Sequence, residues 1–256
     1  MTVVILGSGN VATHMGKAFH TLGHQILQVY SRNKANAIAL ASVVNAEGVD
    51  TIEDISDKAD LYFIAVADQA IQCIVNQLSK NLEGVVVHAS GATDINILMN
   101  FPLHGVIYPV QSLRKDVPAL LENIPFGIEG SDTKTTDHLL ELMHNISAKS
   151  FLCDSKQRLA LHTAAIFANN FSNVLFQIAY DILKEQNLSF DLLKPIILET
   201  AQKVQKQIPK DVQTGPAERG DTETIQKHLQ FLMKTPHWLK IYQQLTDEIT
   251  RNKYEH

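Results

Sequence analysis

Cysteine is nearly missing from this chain: Cys73 and Cys153 stand alone among 256 residues, with no CxxC pair and no histidine-rich neighbour. Such spacing excludes a disulfide framework and a structural zinc site, so no metal is expected, and it fits a reducing cytoplasm. A strong charge of either sign is missing too. Lys and Arg number 22 against 27 Asp and Glu, a net charge of −5, which gives neither nucleic acid nor an anionic membrane a reason to bind. Long apolar runs are also absent: the most apolar, residues 61–67, falls far short of the roughly 20 residues that cross a bilayer. Met1 leads within two residues into a strand, so no leader peptide is expected. No low-complexity stretch and no repeat at a period of roughly 20–50 residues is found. A chain of 256 residues is long for one average domain and comfortable for two.

What is there begins at the N-terminus. Val3-Val4-Ile5-Leu6 runs directly into Gly7-Ser8-Gly9-Asn10-Val11-Ala12, and apolar positions at helical spacing continue to Leu22. Strand, glycine turn, helix is the order of a dinucleotide-binding unit. Gly7 permits the tight turn, Gly9 admits a pyrophosphate to the backbone, and the small Ala12 lets helix and strand pack closely. The free N–H groups and positive dipole end of the helix then face the phosphates. The second strand, residues 25–30, ends in Ser31-Arg32-Asn33, and no carboxylate occurs from Gln25 to Asn33. An NAD site usually offers an acid there for the ribose 2′-hydroxyl, whereas a 2′-phosphate needs a cation and hydroxyl or amide donors. NADP is therefore expected in preference to NAD.

Further along, residues 34–44 read as a helix and residues 61–66 as a strand buried on both faces. That strand ends at Ala67, on the border of the dinucleotide crevice, and Asp68 is expected to cap the next helix. A strand at residues 85–88 leads into Ala89-Ser90-Gly91-Ala92-Thr93-Asp94. Ser90 and Gly91 can face nicotinamide or substrate there, or belong to a loop capped by Thr93 or Asp94. Residues 104–112 give another strand with a proline turn. Residues 125–130 and 148–152 read as edge strands flanking a helix at 135–145. About six to eight strands with intervening helices make a doubly wound, mostly parallel sheet.

Strand signals stop after Ser155, which sets the expected division: residues 1–154 a nucleotide-binding domain, residues 155–256 an all-α domain for substrate and dimerisation. Residues 156–183 contain no Gly or Pro and predict one helix roughly 40 Å long. It is apolar around much of its circumference and should be buried, by a second subunit as well as by its own chain. His162, Asn169 and Asn173, spaced i, i+7 and i+11, share a face of that helix. His162 is the candidate acid, because histidine alone titrates near neutrality unperturbed; Asn169 is the candidate substrate-orienting amide and Lys156 the reserve acid. Further on, Thr214-Gly215-Pro216-Ala217-Glu218-Arg219-Gly220-Asp221 packs two glycines, a proline and three charges into eight residues. Asp221 caps the next helix, and Arg219 is placed to hold a carboxylate or phosphate bidentately.

These residues resemble the Rossmann-like proteins with a helical C-terminal domain of unknown function, DUF2520, in the superfamily of 6-phosphogluconate dehydrogenase, pyrroline-5-carboxylate reductase and F420-dependent NADP oxidoreductase. The likeness runs through the whole chain. Besides the glycine loop, Ser31-Arg32 and the 214–221 segment, it rests on His88-Ala89-Ser90-Gly91, Tyr108-Pro109-Val110-Gln111-Ser112 and Lys156 with His162-Thr163-Ala164-Ala165 and Asn169. It implies an NADP-linked oxidoreductase, commonly dimeric through the helical domain, acting on a small molecule not established for the family. One departure stands out. Hydroxyacid dehydrogenases of the superfamily place an asparagine four residues after a lysine, whereas Lys156 has Ala160 at that position, so a lysine-based mechanism does not carry over. The expectation is hydride transfer between NADP(H) and a small anionic carbonyl, imine or hydroxyacid, in a cytoplasmic homodimer. The alternative is a non-catalytic NADP-binding sensor or scaffold.

Overall fold

The first strand is buried on both faces, and the sheet is laid out around it. In the computed structural model, which describes residues 1–254, β1 (Thr2–Leu6) holds Val3, Val4, Ile5 and Leu6 at 0% exposure. Successive side chains of a strand point to opposite faces. Val3 and Ile5 thus join one apolar cluster with Met15 and Phe19, while Val4 and Leu6 join a second with Ile71 and Ile74. An uninterrupted apolar run is what a strand covered by helices on both sides requires.

The sheet is completed by β2 (Gln25–Tyr30), β3 (Glu47–Val49), β4 (Leu61–Ile64), β5 (Val85–His88), β6 (His104–Pro109), β7 (Phe126–Gly130) and β8 (Phe151–Leu152). Their spatial order is β3-β2-β1-β4-β5-β6-β7-β8, and of the pairings only β6 with β7 is antiparallel. The doubly wound, mostly parallel sheet expected from the sequence is present. Strand order reverses at β1, so a crevice opens beyond the carboxyl ends of β1 and β4. One strand differs from expectation. Residues 126–130 are not at an edge; they pair with β6 on one side and β8 on the other. Phe126 and Ile128 are buried there, but Gly127 and Gly130 interrupt the run and make an interior strand read as a peripheral one.

The helices packed on the sheet are α1 (Asn10–Thr21), α2 (Lys34–Val43), α3 (Asp68–Gln77) and α4 (Thr133–His144). Asp132 starts α4 by accepting the Thr135 N–H at 2.8 Å. Asp68 does not cap α3 as expected: Ala67 holds the cap position without a side-chain bond, and Asp68 is the first helical residue, where a carboxylate faces the positive dipole end. Next comes α5 (Ser155–Ala165), opened by a capping box in which Asp154 and Gln157 bond each other's backbone N–H.

The single long α-helix expected over residues 156–183 is not uninterrupted. After α5 the chain makes a π-helical turn, Ile166–Phe171, before resuming as α6 (Ser172–Glu185). A π turn holds an extra residue, which rotates the next helical segment by roughly 100° relative to a regular α-helix. The rotation applies to Asn173, which follows the turn; His162 and Asn169 both border one cavity.

Packing divides the chain into two compact units, residues 1–170 and residues 171 onward. The first contains the whole sheet. The second contains α6, α7 (Lys194–Val204), α8 (Pro216–Arg219), α9 (Thr222–Phe231) and α10 (Pro236–Tyr254). Ser189 starts a short 3-10 turn, Phe190–Leu193, ahead of α7, whose first turn holds Pro195. Asp221 caps α9, accepting from the Thr224 N–H at 3.1 Å and its hydroxyl at 2.8 Å. Among the described residues of this unit only Ala217 and Leu232 are buried, while Leu192 and Met233 are 65% and 69% exposed. The burial expected of the long helix is likewise not met within one chain: Phe167, Phe171, Val174 and Phe176 are all exposed. Among the described residues no helix is long and apolar enough to cross a membrane.

Candidate active site

The turn after β1 is where the chain is most constrained. Gly7 has φ +133°, and a β-carbon there would stand 2.2 Å from the Ala65 carbonyl oxygen, so only glycine fits between β1 and the end of β4. Its N–H donates to the Tyr30 carbonyl at 2.9 Å. Gly9 takes the N-cap position of α1 with no side-chain cap, and the space beside its α-carbon is open to 4 Å. The first-turn N–H groups of α1 thus remain available to an anion. Ala12, fully buried behind the turn, closes the packing of α1 on the sheet.

This helix end opens on a cavity of about 1070 Å³, bordered by the segments that succeed β1, β2, β4, β5 and β6. Gly7, Ser8, Gly9, Asn10 and Val11 line one wall, and Ser31 and Arg32 extend it. The Ser8 hydroxyl donates to Ser31 Oγ at 2.9 Å, tying the glycine loop to the end of β2 beside the exposed Arg32 guanidinium. Asn10 turns its side chain outward, accepting the Lys115 N–H at 3.0 Å. Asn33 does not border the cavity; its Oδ1 accepts the Asn36 N–H and caps α2. Ordinary small-molecule pockets are about 300–1,000 Å³. An unblocked helix end, a backbone cradle that a β-carbon would fill, and this volume together fit a dinucleotide with room for a small second molecule.

The opposite wall carries side chains able to move protons. Ala67, Ser90 and Gly91 border it, with Tyr108, His162 and Asn169. The Tyr108 hydroxyl lies 3.1 Å from His162 Nδ1, and the two rings meet edge to face, 5.9 Å between centroids at 79°. Gly91 makes the pairing possible: a β-carbon there would sit 2.7 Å from His162 Nδ1 and 2.8 Å from Tyr108 Cε2. Burial raises the Tyr108 pKa above its ordinary value, with the Cys153 thiol adding to the effect and the Arg158 charge opposing it. The phenol therefore stays protonated through neutral pH. Asn169 lies in the π turn, 3.4 Å from the Asn170 side chain, and Asn170 borders the cavity as well.

Beneath this wall lies a network that sequence reasoning missed. Arg158, one helical turn before His162 on α5, is 1% exposed and ion-paired to Glu129 on β7. It also donates to the Thr93 carbonyl at 2.7 Å and to Ser155 Oγ at 2.9 Å; Ser155 donates in turn to Glu129 through its N–H and hydroxyl. The loop after β5 is thereby fastened to the start of α5. The same loop is held from within by the Ser90 hydroxyl, which accepts the Ala92 and Thr93 N–H groups, and by His88 Nδ1, which accepts the Ser90 N–H at 3.2 Å. His88 is fully buried, and burial, reinforced by the Arg158 charge, lowers its pKa from 6.5 to about 4. Its neighbours on the helix at i−3 and i+4 are the polar Ser155 and His162, so no apolar surround marked Arg158 in the sequence. Lys156 is exposed and does not border the cavity. Arg219 ends α8 in the helical unit and is exposed.

A Rossmann-type nucleotide-binding unit joined to a helical unit is the class that this architecture defines. The chain belongs to the DUF2520 family: the model of that domain of unknown function matches residues 124–249, and that of a Rossmann-like domain matches residues 1–110. Among solved structures it is similar to "putative NADP oxidoreductase BF3122" of Bacteroides fragilis, at 36% identity over 98% of both chains with a TM-score of 0.88. Protein TM1727 of Thermotoga maritima shares the fold at 22% identity over 99% of this chain and 98% of that one, TM-score 0.74. An imine reductase from Myxococcus stipitatus, in complex with NADP+, shares it at 16% identity over 100% of this chain and 93% of that one, TM-score 0.64. No curated protein matches the sequence.

Proposed function

We propose that the protein is an NADP-dependent oxidoreductase acting on a small, anionic carbonyl, imine or hydroxyacid. The observation that carries this reading is one cavity bordered at one wall by the glycine loop and α1 N-terminus and at the other by Tyr108 and His162. The Bacteroides relative, named as an NADP oxidoreductase, at 36% identity, supports the oxidoreductase part of this reading. Bound NADPH supplies the hydride. The α1 N-terminus and Gly9 hold the pyrophosphate, Ser31 and Arg32 the 2′-phosphate, and Ala67 with Ser90 and Gly91 border the nicotinamide end. His162 stores the proton that a reduced carbonyl or imine takes up, and Asn169 orients the substrate through its amide. Within the helical unit Arg219 is proposed as a holder of an anionic group, and residues 155 onward as a domain for substrate and dimerisation. Lys156, exposed and off the cavity lining, is given no part in the proton transfer.

Two copies are proposed to assemble through the helical unit. A segment with two buried residues among those described, and large apolar side chains open along α6, α7 and α9, leaves more apolar surface in water than a lone chain tolerates.

A panel of carbonyls, imines and hydroxyacids, incubated with NADPH or NADP+ and monitored at the dihydronicotinamide absorbance, tests the enzymatic reading. Turnover of a panel member, lost in His162→Gln with NADPH affinity retained, is the result expected. Tight NADPH binding without turnover of any member favours a dinucleotide sensor instead.

A further inference from the structure

The hydrogen bond between Tyr108 and His162 decides by which atom a proton leaves the site. Nδ1 of His162 faces Tyr108 Oη at 3.1 Å, and Gly91 packs against that same edge of the ring. Tyr108 is buried at the carboxyl end of β6, and among the described side chains the polar neighbour of its hydroxyl is His162. A buried phenol gives its proton to the acceptor it has. With the imidazole neutral and its own proton on Nε2, Tyr108 is the donor and Nδ1 the acceptor of this bond.

Hence the proton that His162 gains and loses is the one on Nδ1, the nitrogen that faces Tyr108. We propose that Tyr108 Oη hands the proton to the substrate and that His162 Nδ1 replaces it, a deeper form of the oxidoreductase reading on which this rests. When His162 is charged, Nδ1–H donates to Oη and frees the phenolic hydrogen to point into the cavity. As NADPH gives its hydride, and with it two electrons, to the substrate carbon, the substrate oxygen or nitrogen gains an X–H bond and the Tyr108 O–H bond breaks. The Nδ1–H bond then breaks to restore the phenol. His162, charged at the outset, is left neutral with its hydrogen on Nε2, and no charge remains on Tyr108. The raised Tyr108 pKa suits such a relay, because phenolate never accumulates.

Nitrogen-15 spectra of histidine-labelled full-length protein test this without a substrate, with His162→Gln used only to assign the signal. In the neutral ring the hydrogen is expected on Nε2, and the charged ring carries one on Nδ1 as well. In Tyr108→Phe, which removes one oxygen and preserves the ring, the Nδ1–H tautomer of the neutral imidazole should appear. A wild-type ring that is Nδ1–H when neutral, or a Tyr108→Phe spectrum identical to wild type, overturns the relay. Calorimetry with NADPH on the same two samples reads the cofactor assignment separately: loss of binding in both rejects that assignment and leaves the tautomer result to stand or fall alone.

Discussion

Arg158 on α5 and Glu129 on β7 form an ion pair with the guanidinium 1% and the carboxylate side chain 16% exposed, directly beneath the loop that carries Ser90 and Gly91. Breaking a buried pair by removing one member leaves an uncompensated charge and costs about 3–5 kcal/mol, whereas replacing both by apolar groups costs far less. Glu129→Gln and Arg158→Met should each lower the urea midpoint strongly, and the double variant Glu129→Leu with Arg158→Met should recover much of the loss. A double variant as unstable as the sum of the singles would show that the pair does not act as a unit.

The neutral, buried His88 makes stability depend on pH. Its folded pKa, about 4 against 6.5 for the free group, means that the unfolded chain takes up a proton at a pH where the native one does not. Its stabilising effect is present above about pH 6.5 and is lost as pH falls toward 4, amounting to about 3 kcal/mol over that window. His88→Asn, which retains an acceptor for the Ser90 N–H, should flatten the dependence of the urea midpoint between pH 6.5 and 4. An unchanged slope would mean that His88 is charged in the native protein.

Arg32 stands exposed beside the Ser8–Ser31 hydroxyl pair at the cavity. A hydrogen bond to a charged group is worth about 1.5–3 kcal/mol, so Arg32→Glu should weaken NADPH by roughly tenfold or more. NADH binding should hardly change. Equal weakening of both would remove Arg32 from the 2′-phosphate.

Light scattering at micromolar concentration should give about twice the 28.5 kDa chain mass. A stable monomer would leave residues such as Leu192 and Ile196, both more than half exposed, without a covering surface.

The nucleotide half of the fold was legible because each of its devices is local. Val3 to Leu6 signal a strand buried on both faces, Gly7 and Gly9 signal the turn, and Asp221 signals its helix by the cap it forms. The strand at 126–130 was misplaced because its two glycines carry no side chain for a periodicity to register. The π turn at Ile166–Phe171 was invisible for a different reason: a helix-wide apolar pattern fixes the residues that are helical but not whether one turn holds an extra residue.

At the site, the residues of the glycine loop could be named from the sequence, whereas the partners of His162 could not. Tyr108 is 54 positions from His162, and only the sheet order brings the end of β6 to the face of α5. The same separation hid Arg158, whose acid, Glu129, lies 29 positions away. Lys156 is the nearest cation in sequence to His162 other than Arg158, yet it is exposed and does not border the cavity. Amphipathic helices in the second half revealed which faces are apolar and nothing of what covers them.

The central claim, that the cavity beside Gly7 and Gly9 holds NADP, is tested most directly by isothermal titration of the wild-type protein with NADPH and with NADH. Micromolar or tighter NADPH binding, with NADH weaker by roughly tenfold or more as the missing 2′-phosphate contact requires, is the expected result. Equal, millimolar binding of the two would contradict it.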